Sequence, residues 1–295
     1  MAFTQHMSPR LHYVSTSHEV PLTDQAENER RQRGEHIVTE RRRVLLIHGL
    51  FFGNLAGWFP TISQPLSRDA DVLCYDLRGH GLSEMTDDGY TLGHHVDDAC
   101  ALLKELGWTD RPISVVGHSF GGRVALKLAE RSEVMLDQII LIDSPLSPHD
   151  GERFAHDARQ WRLQDRDHLG ALLPHAVHAL INRGGRRFQR LIKRWHTLLH
   201  QTTLISDLER DALPTVQELS SIAERLWALY GGRSGCLSSW HILRDLVPEE
   251  RRAILPEGGH FLLNEAPMQV SRFTQRALTS SDTPLIIPFD QALRG

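Results

Sequence analysis

Cysteine is scarce in this chain of 295 residues: Cys74, Cys100 and Cys236 are odd in number and widely spaced, with no C-x-x-C pair among them. That excludes a disulfide framework and a cysteine-based zinc module, and the three read as reduced, buried small hydrophobes. Long apolar runs are also missing. The strongest, such as Val44-Leu45-Leu46-Ile47, are strand-sized and far short of the ~18 residues that cross a bilayer, so no transmembrane segment is expected. Residues 1–9 lack the basic-then-apolar order of a secretory signal, and a cytoplasmic location is the expectation. No charge sign dominates, with 33 basic against 37 acidic side chains and a net charge of −4, which argues against a nucleic-acid binder. Histidine is abundant at 18 residues. H-E-x-x-H is nevertheless absent and the adjacent pair His94-His95 points to different sides of a helix, so neither a metal nor a cofactor is expected.

What is present is ordinary globular composition, 40% apolar and 24% charged, with Gly and Pro scattered without a period. Whole-chain disorder, collagen and coiled coil are thereby excluded. Residues 23–43 are dominated by charge and predict an exposed loop or polar hairpin, so residues 1–43 are taken as an N-terminal strand region and polar loop leading into the core. Short β-branched or aliphatic runs then alternate with helical patterns: Val44 to His48, Val72 to Asp76, Ile113 to Gly117, Gln138 to Asp143, Leu226 to Tyr230 and Ala253 to Leu255. Such alternation predicts an α/β fold, a mostly parallel central sheet flanked by helices. Ala99, Leu102, Leu103 and Leu106 predict a helix over 97–106 with a stop at Gly107, and residues 261–278 predict a terminal helix. Between Asp143 and Leu226 the alternation breaks. Two apolar stripes fill much of that gap, one from Leu169 to Ile181 and one from Phe188 to Leu199, separated by Gly184-Gly185. The expected organisation is a core of 44–145 and 223–279, a helical cap over 146–222 and a tail over 280–295.

The strand Ile113 to Gly117 runs into Gly117-His118-Ser119-Phe120-Gly121-Gly122 and then a helix over 123–130. A G-x-S-x-G elbow in a strand-turn-helix context lifts Ser119 out of a sharp turn that only small flanking residues permit, and the helix start favours an oxyanion. A second loop, His48-Gly49-Leu50-Phe51, follows the first core strand. With Asp76-Leu77-Arg78-Gly79-His80-Gly81-Leu82-Ser83 and Gly258-Gly259-His260-Phe261, these motifs resemble the α/β-hydrolase superfamily over roughly residues 42–278. The resemblance implies that the backbone amides of Leu50 and Phe120 form an oxyanion hole.

A serine hydroxyl needs a base, and His260 is the candidate, occupying the position of the catalytic His in this superfamily. His118, beside the nucleophile, is the competing choice, while His48 and His80 read as structural hydrogen-bonders. The commonest family pattern places an Asp after the next-to-last strand, yet Ser234 stands there, in Gly231-Gly232-Arg233-Ser234-Gly235-Cys236. The phrase Ile142-Asp143-Ser144-Pro145 resembles an esterase branch whose acid follows an earlier strand. The expected triad is therefore Ser119, His260 and Asp143, with Asp245 as another possible acid and Ser234 as a hydrogen bonder to the imidazole.

A serine at the elbow implies acyl transfer to water, so a carboxylic ester or thioester is the expected small-molecule substrate. A carbon–carbon bond hydrolase acting on a diketone, and a non-catalytic ligand receptor on the same fold, are the other readings. Phe154, Trp161, Phe188 and Trp195 in the cap suggest an apolar acyl or alcohol portion. The run Arg183, Arg186, Arg187, Arg190, Lys193 and Arg194 contains no acidic residue. It reads as a solvated face, or as a docking surface for an acidic acyl carrier, for coenzyme A phosphates or for an anionic membrane surface.

Overall fold

The computed structural model describes residues 2–16, 41–50, 53–150 and 186–279, without the side chains of 186–189, 191 and 192. Eight strands form one sheet: β1 (Ala2–Phe3), β2 (His12–Ser15), β3 (Arg42–Ile47), β4 (Ala70–Tyr75), β5 (Ile113–His118), β6 (Leu136–Ile142), β7 (Leu226–Gly231) and β8 (Arg252–Leu255), in the order β1-β2-β4-β3-β5-β6-β7-β8. From β4 to β8 every pairing is parallel, and β1 and β2 add an antiparallel edge. The central strands are apolar on both faces because both are covered. Leu45, Ile47, Val115, Ile139, Leu141, Ala228 and Tyr230 pack on one side, and Val44, Leu46, Val116, Ile140, Ile142, Trp227 and Leu229 on the other.

The first face is covered by α1 (Leu92–Glu105), α2 (Phe120–Leu128) and α5 (Leu237–Leu246). The second is covered by the helical segment 55–66 and by α6 (Pro267–Thr279). Three expectations about helix bounds are corrected. α1 starts at Leu92, not at 97, because the Thr91 side chain accepts from the His94 amide and caps it. α2 starts at Phe120, immediately after Ser119, rather than at 123. The terminal helix is two pieces, Leu262–Glu265 and α6, since Ala266 precedes Pro267 and takes φ −139°, outside the helical region.

In the insertion, α3 (Arg186–His200) buries Trp195, Leu198 and Leu199, and α4 (Leu204–Arg210) follows it. The Asp207 and Asp211 carboxylates accept from the backbone amides of Tyr90 at 2.9 Å and Leu92 at 2.7 Å, fixing this segment to the start of α1. The stripe from Leu169 to Ile181, together with Phe154, Trp161 and Arg183, lies outside the described residues, as do most of the charged loop and the tail over 280–295.

Candidate active site

Ser119 sits at the turn between β5 and α2 with φ 54° and ψ −122°, a left-handed conformation unusual for a residue with a side chain. Such geometry costs roughly 1–3 kcal/mol and persists only when its surroundings enforce it. The enforcing contacts are Ser119 N donating to the Ile142 carbonyl at 2.9 Å and Gly122 N donating to the Ser119 carbonyl at 3.0 Å. Glycine is required on both sides: a Cβ on Gly117 would lie 2.3 Å from the Gly121 carbonyl oxygen, and one on Gly121 would lie 2.2 Å from that of Ile47. The loop after β3 closes on the same point, for a Cβ on Gly49 would meet the Ser119 Cβ at 2.9 Å.

His260 follows β8 through Gly258-Gly259, and its Nε2 lies 3.0 Å from Ser119 Oγ while its Nδ1 lies 2.6 Å from Asp143 Oδ2. Asp143 is fully buried at the end of β6, with φ 47°. Its amide donates to the Leu229 carbonyl at 2.8 Å, so the ends of β5, β6 and β7 are tied together at the site. Oδ1 accepts from Gly231 N at 2.9 Å. Oδ2 accepts from the Ser234 hydroxyl as well as from His260. The expected bond from Ser234 to the imidazole is corrected: its hydroxyl donates to the Asp143 carboxylate, as the amide of Gly231 in the same turn does. Asp245 is excluded by position, its side chain 73% exposed beside Arg244.

His118 bonds the His260 main chain. Its Nε2 donates to the His260 carbonyl oxygen at 2.8 Å, and burial, with His260 close by, lowers its pKa to about 4, so the ring is neutral. It therefore holds the backbone of His260. His48 accepts from Leu77 N at Nε2 (3.0 Å) and donates from Nδ1 to the Gly49 carbonyl (2.7 Å), fixing the peptide that abuts Ser119. His80 donates from Nδ1 to the Arg78 carbonyl at 2.9 Å, as a structural bonder should.

Cys236, read in the sequence as a reduced, buried thiol, is free and buried as expected; its place beside the imidazole was not read, because an isolated cysteine has no spacing signature. Its Sγ lies 3.6 Å from His260 Nδ1 and its amide donates to Ser234 Oγ at 3.0 Å. Burial, then the Asp143 charge, pushes the thiol well above its usual pKa. The only group of three or more metal-ligating side chains among the described residues is here: Asp143, Cys236 and His260, whose donor atoms all lie within 4.8 Å of one another. A second signal passed over in the sequence is the pair His196 and His200, one helical turn apart on α3 with ring centroids at 4.7 Å.

The basic run does not act as one surface. Arg190 and Lys193 are exposed, but Arg194 is turned inward: its Nε donates to the Gly79 carbonyl at 2.9 Å and a terminal nitrogen to that of Ser83. Arg194 thus pins α3 to the 79–83 turn. The side chains of Arg186 and Arg187 lie outside the described residues.

A family model for the alpha/beta hydrolase fold matches residues 42–229. Lipase LipV of Mycobacterium tuberculosis is 36% identical over 116 residues, 38% of this chain and 40% of that protein. A serine hydrolase-like protein of Danio rerio is 32% identical over 105 residues, 35% of this chain and 31% of that one. The chain thus spans 31% to 40% of the length of these two curated relatives. Among solved structures, MGS-M2, an alpha/beta hydrolase enzyme from a deep-sea metagenome library, matches with a TM-score of 0.69 at 15% identity, over 97% of this chain and 100% of that one. That likeness is one of fold. With the strand order, the elbow and a family match running from β3 into β7, this chain belongs to the α/β-hydrolase fold family.

Proposed function

We propose that the protein is a serine hydrolase that cleaves a carboxylic ester or thioester through an acyl-enzyme on Ser119. The observation that carries the reading is the continuous relay from Ser119 Oγ to His260 Nε2 at 3.0 Å and from His260 Nδ1 to Asp143 Oδ2 at 2.6 Å. An Nδ1 proton held by Asp143 leaves Nε2 as the free acceptor, which is the tautomer that removes the serine proton. Ser119 Oγ then attacks the substrate carbonyl while His260 takes its proton. The developing oxyanion is met by the amide of Phe120, at the start of α2 where N–H groups have no partner within the helix, and by that of Leu50. Two features support Leu50: the close approach of Gly49 to Ser119 and the clamp of His48 on the Gly49 carbonyl. His260 returns its proton to the leaving alcohol or thiol, then activates water to release the acid.

Asp143 stabilises the imidazolium that forms in both half-reactions. Three groups donate to this buried carboxylate, the Gly231 amide, the Ser234 hydroxyl and the His260 ring, so its oxygens are satisfied away from water. Ser234 is therefore a positioning residue for the acid. The names of the curated relatives, a lipase and a serine hydrolase-like protein, favour an ester with an apolar portion. Arg190 and Lys193 remain as cations that an acidic carrier or coenzyme A portion could meet; Arg194 is withdrawn from that role.

The test is labelling by a fluorophosphonate together with turnover of a short p-nitrophenyl ester and of the matching acyl thioester. Wild type is expected to label and to turn over at least one of the two, and Ser119→Ala to do neither. Undiminished turnover by Ser119→Ala, or a wild-type chain that does not label, sinks the assignment. Labelling without either turnover would redirect it to the carbon–carbon bond reading.

A further inference from the structure

Cys236 touches the relay among the described residues, yet acyl transfer gives its thiol no task. We propose that Asp143, Cys236 and His260 form a binding site for a thiophilic divalent cation, zinc above all, whose occupation switches hydrolysis off. The inhibitory half of this proposal rests on the function proposed above; the binding half does not. The donor set of one carboxylate oxygen, one sulfur and one imidazole nitrogen is the mixture that tetrahedral Zn²⁺ accepts, at about 2.0–2.2 Å to oxygen and nitrogen and about 2.3 Å to sulfur. Those bond lengths place nitrogen and sulfur roughly 3.6 Å apart across a tetrahedron, and the Nδ1 to Sγ distance here is 3.6 Å. Nδ1 and Oδ2, at 2.6 Å, must open by under about 1 Å, which a small rotation of the His260 ring supplies. That ring has open space beside it, its side chain 31% exposed against 0% for Asp143. The carboxylate is already oriented by Gly231 and Ser234, the kind of outer support that ligating groups need.

The charge balance also closes. Before binding, the site holds one negative charge, on Asp143, with a neutral thiol and a neutral ring. Zn²⁺ displaces the thiol proton to solvent, and the ring proton leaves Nδ1 while Nε2 takes one up. Carboxylate and thiolate together then cancel the two positive charges, and a neutral cluster is what a buried position tolerates. The same exchange explains the inhibition: an Nε2 that carries a proton cannot accept the one on Ser119 Oγ.

The experiment uses the full chain, dialysed against chelator. Zinc chloride is titrated while p-nitrophenyl ester turnover is followed, and cadmium chloride while the ultraviolet cadmium–thiolate charge-transfer band is followed. Wild type is expected to lose turnover, to regain it with EDTA, and to show the band. In Cys236→Ala the inhibition constant for zinc rises by about ten-fold or more and the band disappears. Cys236→Ser, which keeps a hydrogen-bonding group, serves if the alanine variant does not fold. The His196 and His200 pair contributes no thiolate band, and Cys74 and Cys100 are present in every variant. No band in wild type, a band that survives removal of Cys236, or equal zinc inhibition of both proteins overturns the site. If neither the ester nor the matching thioester is turned over, it is the ester or thioester reading that fails, while the cadmium band still tests the binding half.

Discussion

Four buried histidines, His48, His80, His95 and His118, should make this fold acid-labile, because burial favours the neutral form of each ring. Burial is the largest cause in each and lowers the pKa from 6.5, to about 3 for His80 and about 4 for His118. The native state keeps these rings neutral, whereas the unfolded chain protonates them near the ordinary value. With folded pKa values depressed, the stability they leave intact above about pH 6.5 is lost as pH falls toward the folded values. At pH 5 a histidine shifted this far costs about 2 kcal/mol, so His80 and His118 together cost about 4 kcal/mol. His48 and His95 act in the same direction. That is a large part of the roughly 5–15 kcal/mol that holds a domain together. Urea unfolding followed by tryptophan fluorescence at pH 7.5 and pH 5 measures it, and Trp58, Trp108, Trp195, Trp227 and Trp240 are all buried reporters. The midpoint is expected to fall steeply over that interval, with uptake of at least two protons on unfolding. In His80→Asn, whose amide can still donate to the Arg78 carbonyl, the uptake should fall by about one proton. A midpoint unchanged between the two pH values, or an unaltered proton uptake in His80→Asn, would refute the reasoning.

Legibility in the sequence followed the range of the interaction. The Ser119 turn was legible because Gly117 is demanded locally, by the Gly121 carbonyl that a Cβ would strike at 2.3 Å, although Gly121 itself answers to the distant Ile47 carbonyl on β3 at 2.2 Å. The central strands were legible because a parallel sheet covered on both faces needs unbroken aliphatic runs. Asp143 was reached through its place at the end of a strand and a resemblance in the residues after it. Ser234 was named but aimed at the wrong partner, since which atom its hydroxyl meets depends on how the ends of β6 and β7 line up. Arg194 was read with its charged neighbours because a guanidinium bonded to two main-chain carbonyls, 115 and 111 residues away, leaves no mark in sequence. Cys236 had no local pattern at all; only the turn after β7 brings it against His260.

Replacing Asp143 with Asn should lower kcat by about 10³–10⁴-fold with the fold intact, because the imidazolium loses its counter-charge; steady-state kinetics with near-normal kcat would refute the relay. Ser234→Ala should cost about ten- to hundred-fold in kcat, less than Asp143→Asn, and Ser234→Thr should recover most of it if the hydroxyl bond to the carboxylate is what matters. The basic run of α3 separates by paired substitution. Arg194→Met keeps the aliphatic stem yet leaves the Gly79 and Ser83 carbonyls without their donor, which should cost about 1–3 kcal/mol in urea unfolding. Lys193→Met, one position away and exposed, should stay within about 0.5 kcal/mol of wild type. If both positions were parts of one solvated or docking face, the two variants would unfold alike, because neither would remove a bond to the core; equal stability would therefore return Arg194 to the surface and undo its role as the pin between α3 and the 79–83 turn.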